Sequence, residues 1–444
     1  MTETVDRLFV HCRQLVTLTD GAPTGPRRGD AMQKLGVIED GAVAVKDGRI
    51  VAVGTTDELT RAYRAHEELD LEGFVVLPGF VDCHTHPVFA KTREHEFHLR
   101  CAGADYMEIA KQGGGILSSM RAVREATVEQ LAERTEEHLW RFLEHGTTTI
   151  EAKGGYGLSL KDEQKSMTAL AQAGELVPIQ MKRTFLGAHE FPPEYRDDRD
   201  EYVRIVCEEM IPALAPMADY CDVFAEPGVF DAQQSDRVLK AALAAGLRLR
   251  VHADELSPMG GTELAVALGA DSADHLGQIS EKGIAALAGS DTTGVLLPGT
   301  IFFLGKTGYA PARRMIEAGC AVAIATDFNP GSSHTQSMTM IHTIACTQMK
   351  MSVAECIVAS TINPAFSLQL DHEVGTLHAG KRADLCVLDI PSYEALGYTM
   401  GGNPVAMTIK NGVPVLANVA DRQPDWFADG AVLDGEYDDG FDDE

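Results

Sequence analysis

The sequence contains no C-x-x-C pair, no apolar run approaching about 18 residues, and far fewer basic than acidic residues. Each absence excludes something. Nine cysteines, Cys12, Cys83, Cys101, Cys207, Cys221, Cys320, Cys346, Cys356 and Cys386, are odd in number and scattered. They fit free thiols in a reducing compartment better than a disulfide framework. The missing apolar run argues against a membrane span, and "MTETVDRLFVHCRQLV" lacks the basic and apolar regions of a signal peptide, so a cytoplasmic protein is expected. Lys plus Arg number 38 against 66 Asp plus Glu, a net charge of -28, which repels nucleic acid and anionic membranes alike. Ten of those acids crowd into residues 421–444, expected to form a solvated acidic tail.

What is present is enough apolar residue for a large core: 444 residues, 45% hydrophobic. Hairpin signals lie near both ends. "GAVAVKDGRIVAVG" (41–54) turns at Asp47-Gly48, and "PVAMTIKNGVPVL" (404–416) turns at Asn411-Gly412. Between them, apolar runs alternate with helical patterns such as "TVEQLAERTEEHLWRFLEHG" (127–146). Eight such runs are "FVVLPGFVDCHTH", "TTTIEAK", "MKRTFLGAH", "YCDVFAE", "LRLRVHADE", "DSADHLG", "TTGVLLPG" and "CAVAIATDFNPG". Eight strand-helix units predict a (β/α)8 barrel with a small β-sandwich domain built from both termini. The expected segments are 1–76 and 371–420 for the sandwich, 77–370 for the barrel and 421–444 for the tail.

The barrel strands end in polar residues: His84 and His86, Glu151 with Lys153, His189, Glu226, His252 with Glu255, His275, and Asp327. One histidine alone is more often a packed core residue than a ligand. Histidine or aspartate at the ends of five strands of one barrel is not something packing requires. His84, His86, His252 and Asp327 make a nitrogen-rich set with one carboxylate, suited to zinc or iron, with a water in the remaining position. Such a metal makes hydroxide available near neutral pH; Asp327 is placed to take the proton and His275 to stabilise an oxyanion. Metal-assisted hydrolysis is the expected reaction class.

With H-x-H on the first strand, histidines on the fifth and sixth and aspartate on the eighth, the chain resembles the amidohydrolase superfamily. The fourth strand ends in Glu226, where two-metal members carry a bridging lysine, so a single metal is expected and Lys153 is read as supporting. The segments "HTHPVFAKTREHEFHLR", "KQGGGILSSMRAVREAT", "EAKGGYGL", "TFLGAHEFPPEY", "HADELSPMGGTELAVALGADSADHL" and "ATDFNPGSS" are similar to those of the imidazolonepropionase family. That resemblance implies ring opening of 4-imidazolone-5-propanoate, a small anionic heterocycle, to N-formimidoyl-glutamate, and a homodimer. It places metal ligands at His84, His86, His252 and Asp327, catalytic groups at Asp327, His275 and Glu255, and substrate contacts at Arg93, Tyr156, His189, Glu255, Asn329, Gly331 and Ser332. Arg93 offers a planar fork for the propanoate. Two departures, "GGYG" for Ser-Gly-Tyr-Gly and "FAKTR" without a glycine pair, bear on substrate preference. A deaminase acting on a related heterocycle would share the H-x-H, "HADE" and strand-eight features. A barrel that had lost its metal would have lost ligands, and none is missing.

Overall fold

At Asp47 and Gly48 the backbone takes positive φ of 51° and 73°, and the same occurs at Asn411 and Gly412, at 50° and 74°. Both central residues of each turn therefore have the left-handed conformation that matches the twist of a two-residue hairpin. The computed structural model describes residues 3–104 and 114–417. The acidic tail and Gly113 lie outside the described residues.

The first hairpin joins β2 to β3 in a sheet that opens with the long β1 (Glu3–Val16), followed by β2 (Val37–Lys46), β3 (Arg49–Thr55), β4 (Tyr63–Asp70) and β5 (Val75–Pro78). The barrel strands come next in the chain: β6 (Phe80–Asp82), β7 (Thr147–Lys153), β8 (Gln180–Ala188), β9 (Tyr220–Ala225), β10 (Arg248–Ala253), β11 (Ser272–His275), β12 (Thr293–Leu296) and β13 (Val322–Ile324). The chain then returns to the first sheet with β14 (Leu385–Leu388), β15 (Val405–Lys410) and β16 (Val413–Ala417). Strand order in that terminal sheet is β16-β15-β14-β5-β1-β2-β3, with β4 on β1, so both ends of the chain meet at the antiparallel pair β14–β5. Its two faces carry separate apolar clusters, one around Phe9, Leu15 and Val45, the other around Leu8, Val10 and Leu59.

The eight barrel strands run parallel in sequence order from β6 to β13. Beyond the last formal strand residues the two edges meet, because Thr85 bridges Phe328 in parallel, Asp327 N–H donates to the His84 carbonyl, and His86 N–H donates to the Phe328 carbonyl. Closure thus occurs at the level of His84, His86 and Asp327. Strands such as "TTTIEAK" are buried along their whole length, as both faces of barrel strands must be. The helix Val128–Glu144 that precedes β7 begins with a reciprocal cap between Thr127 and Gln130.

One reading of the sequence needs correction. "FVVLPGFVDCHTH" is not one strand: β5 belongs to the terminal sheet and β6 to the barrel, with Gly79 between them. A Cβ at Gly79 would collide with the Thr148 side chain, so the crossing from one sheet to the other depends on the missing side chain.

Candidate active site

His84, Thr85 and His86 leave β6 still extended, so alternate side chains diverge. Thr85 turns into the wall, where its N–H donates to Glu151 Oε2 (3.2 Å), its hydroxyl to the Glu151 carbonyl (2.6 Å), and its own carbonyl accepts from Lys153 N–H (2.9 Å). The flanking imidazoles then face the barrel mouth together, with His84 Nε2 and His86 Nε2 3.3 Å apart. Asp327 Oδ1 lies 3.6 Å from the first and 3.5 Å from the second. His252 joins them, its ring centroid 4.6 Å from that of His84 and 5.6 Å from that of His86.

Donor chemistry tests whether this set fits a cation. Burial, reinforced by neighbouring basic groups, holds His84 and His86 well below the ordinary histidine range, so both are neutral. His84 Nδ1 donates to Asp274 Oδ2 at 2.7 Å, with Arg250 3.6 Å from the same oxygen, which leaves Nε2 as a bare lone pair. Lone pairs and a carboxylate oxygen converging at these distances repel one another unless a cation lies between them. Atoms of His84, His86 and Asp327 all lie within 4.8 Å of one another, as do those of His84, His252 and His275. The set suits a divalent metal.

Behind these residues lies a buried charge network that joins Glu151 and Lys153 to Asp222, with Arg250 and Asp274 beside it; the last three were not singled out from the sequence. Lys153 Nζ sits 2.8 Å from Glu151 Oε1 and 2.8 Å from Asp222 Oδ2. Burial works against the ammonium, but Asp222 and Glu151 outweigh it and raise its pKa. Asp222 Oδ2 is also 2.9 Å from His252 Nδ1, and it strengthens His252 as a base against the pull of burial. Arg250 Nη2 donates to the Cys83 carbonyl at 2.8 Å. Asp82 accepts from the Thr326 N–H and hydroxyl, tying β6 to the segment that carries Asp327. Lys153 is therefore a supporting residue, as its strand-two position suggested. Glu226, in contrast, turns away from the imidazoles: it accepts from Leu256 N–H and the Ser257 hydroxyl, and so fixes the loop that carries Glu255. The strand-four carboxylate nearest the histidines is Asp222.

Glu255 and His275 stand together beside the histidines, with His275 Nε2 3.6 Å from Glu255 Oε2. Burial lowers His275 to about 3 and raises Glu255, so the imidazole is neutral and has a single N–H to give. His275 and Asp327 have left-handed backbones, φ 79° and 51°, conformations that cost roughly 1 kcal/mol or more in residues with a Cβ. Asp327 is further held by the Thr300 hydroxyl, which donates to Oδ2. A cavity of about 290 Å³ opens next to Glu255, bordered by Gln278, Ile301, Lys306 and Thr307.

The remaining sequence candidates form the other wall. His189 donates from Nδ1 to the Gly155 carbonyl (2.9 Å) and stacks on His86, centroids 5.3 Å apart; Tyr156 packs 5.3 Å from His189 and 6.0 Å from His86. The first glycine of "GGYG" lies close against Glu163. A Cβ at Gly154 would come within 2.7 Å of Glu163 Oε2, and that buried carboxylate accepts from the N–H groups of Gly155, Gly157 and Leu158. It shapes the loop behind Tyr156. Arg93 makes a two-pronged pair with Glu96, Nε to Oε1 at 2.9 Å and Nη2 to Oε2 at 2.6 Å, so its fork is engaged within the protein. The guanidinium lies over Gly331, where any Cβ would collide with it. The Asn329 side chain is occupied by its own loop, accepting from Gly331 N–H (2.8 Å) and Ser332 N–H (2.7 Å) and donating to the Asp327 carbonyl (2.6 Å). Asn329, Gly331 and Ser332 thus form a tight turn under Arg93.

The fold and the site define a barrel hydrolase of the amidohydrolase type, and the sequence model of the Amidohydrolase family matches residues 75–415. A second model, the imidazolonepropionase-like composite domain of bacteria, matches residues 41–65. The imidazolonepropionase of Geobacillus kaustophilus is 47% identical over 416 residues, covering 92% of this chain and 98% of that protein. That of Herpetosiphon aurantiacus is 44% identical, covering 93% and 98%. Among solved structures, a zinc-bound adenosine deaminase from Xanthomonas campestris (TM-score 0.70, 21% identity, 94% of each chain) shares the fold. So does the Escherichia coli guanine deaminase (TM-score 0.72, 16% identity, 93% of this chain and 100% of that one). The chain belongs to the amidohydrolase family and, within it, to the imidazolonepropionases.

Proposed function

We propose that this protein hydrolyses the cyclic amide of 4-imidazolone-5-propanoate to N-formimidoyl-L-glutamate, a step of histidine degradation, with one zinc or iron ion per chain. The observation that carries this reading is the convergence of His84, His86 and Asp327, with the His252 ring beside the two histidines, in a chain so close to the imidazolonepropionases. When bound, the metal supplies Lewis acidity at the ring carbonyl and makes water more acidic.

His84, His86, His252 and Asp327 would hold the metal. Asp327 takes a proton from the attacking water, whose oxygen bonds to the ring carbonyl carbon. The His275 N–H donates to the carbonyl oxygen as negative charge develops there. The carbon–nitrogen bond then breaks, and the departing nitrogen receives the proton carried by Asp327. Glu255, raised by burial, holds the ring nitrogens in register. Arg93 meets the propanoate, its share of Glu96 giving way to the substrate carboxylate, while Tyr156 and His189 close the opposite wall. Ser332 and the backbone at Gly331 complete the pocket, and Asn329 holds that turn in shape.

We place the protein in the cytoplasm; no helix among the described residues is long and apolar enough to cross a membrane. We further propose a homodimer and a division into a terminal β domain (1–76 and 371–420) and a barrel (77–370), with β5 (Val75–Pro78) running across that boundary as a strand of the terminal sheet. The test of function mixes purified protein with fresh imidazolone-propanoate. Loss of its ultraviolet absorbance with matching appearance of formimidoyl-glutamate supports the reading. Ammonia release from guanine or cytosine, without ring opening, would assign the chain to deamination instead.

A further inference from the structure

Away from the active site, two cysteines ten residues apart in sequence face each other. Cys346 belongs to the helix Met338–Met349 and Cys356 to the helix Val353–Ala359, and their Sγ atoms are 3.7 Å apart. The backbone between them is fixed. Lys350 takes a left-handed φ of 59° to end the first helix, and Ser352 and Glu355 cap the second reciprocally. Arg313 fastens the turn by donating to the Lys350 carbonyl (2.9 Å) and to Glu355. The pair therefore meets without any local unfolding. Cys346 is partly exposed, whereas Cys356 is buried.

We propose that Cys346 and Cys356 form a modification site, a dithiol that peroxides oxidise reversibly to a disulfide. Cys346 Sγ attacks a peroxide oxygen and the O–O bond breaks; Cys346 becomes a sulfenic acid and one water (or alcohol) leaves. Cys356 Sγ then attacks Cys346 Sγ, forming the S–S bond and expelling the sulfenic oxygen as water. Two thiols have lost two electrons and two protons to the peroxide. The division of labour follows from the surroundings. The hydrogen bond with Cys356 lowers the Cys346 pKa, favouring the thiolate that attacks, and Cys346 is the thiol that solvent reaches. Cys356 is shielded until the intermediate forms beside it. Bonding requires the sulfurs to close to about 2.05 Å, a small movement for two side chains already in contact. Cys346 lies one helical turn before Met349, which lines a small cavity with Glu255 and His275.

The test treats the full-length native protein with hydrogen peroxide and counts thiols. Its internal comparator is Cys101, which is exposed. At low peroxide the expected result is loss of two of the nine thiols, restored by dithiothreitol, with peptide mapping locating a Cys346–Cys356 cross-link. The C356S variant should instead accumulate a sulfenic acid at Cys346, trapped by a dimedone probe. In C346S, Cys356 should stay reduced. If Cys101 is oxidised while Cys346 and Cys356 both remain free thiols, or if the cross-link joins other cysteines, the proposal is overturned.

Discussion

Asp274 Oδ2 lies 2.7 Å from His84 Nδ1, on the side of the imidazole away from the other histidines. That contact decides which nitrogen of His84 carries its proton, and so which lone pair is turned towards His86 and Asp327. Asp222 stands in a similar relation to His252. Each carboxylate is balanced by a buried cation, Arg250 for the first and Lys153 for the second.

Asp274→Asn and Asp222→Asn should therefore each keep the fold but weaken metal binding by about 10- to 100-fold. The check is the dissociation constant for zinc or cobalt, measured by competition with a chelator. Unchanged affinity in both variants would mean that the two carboxylates serve packing alone.

Arg93→Ala should cost roughly 2 to 5 kcal/mol in transition-state stabilisation. The pairing with Glu96 favours the lower part of that range, because the guanidinium exchanges one carboxylate for another. kcat/KM should be compared for the natural substrate and for an imidazolone lacking the propanoate. Wild type should strongly prefer the acid and the variant should lose that preference. Equal discrimination by both enzymes would remove Arg93 as the carboxylate partner.

Stability should also fall in acid for a reason outside the active site. His138 is buried, donates from Nδ1 to the Pro87 carbonyl and stacks on Phe89, and burial lowers its pKa from 6.5 to about 4. A histidine whose folded pKa is depressed stays neutral in the fold but takes up a proton in the unfolded chain. Its contribution is complete above pH 6.5 and is lost as pH falls towards 4. Between pH 7.5 and 5 the loss amounts to about 2 kcal/mol. His138→Asn keeps a donor for Pro87, so its urea unfolding free energy should decline less over this interval by about that amount, with chelator present throughout. An equal decline in both proteins would show that His138 does not contribute.

Much of the site was legible because it lies where side chains are poorly explained by packing. His84 and His86 follow an apolar run, and "HADE", "ADH" and "ATD" end others, so strand-end polarity alone exposed them. The support residues were harder. Asp222, Arg250 and Asp274 each stand inside a short strand, YCDVFA, RLRVHA and SADH, where a charge reads equally as facing solvent or facing the barrel core. Glu226 misled because it follows the end of β9: its N–H donates to the Phe230 carbonyl in a turn, and strand alternation no longer dictates its direction. The break at Gly79 was hidden for another reason. Both sheets bury β5 and β6 completely, so apolar continuity runs across the junction. The Arg93–Glu96 pair was open to inspection in "TREHE", since residues three apart on a helix are neighbours, but its presence says nothing about whether a substrate competes for the arginine.

The central claim is that His84, His86, His252 and Asp327 hold a metal that serves addition of water to the imidazolone carbonyl. Its most direct test is turnover of imidazolone-propanoate in oxygen-18 water by metal-loaded protein, by chelator-stripped protein and by the stripped protein after zinc or iron is restored. The account predicts formimidoyl-glutamate with one labelled oxygen in the newly formed carboxylate, loss of that product on stripping, and its return with the metal. Full turnover by stripped protein, or a product without the label, would contradict it.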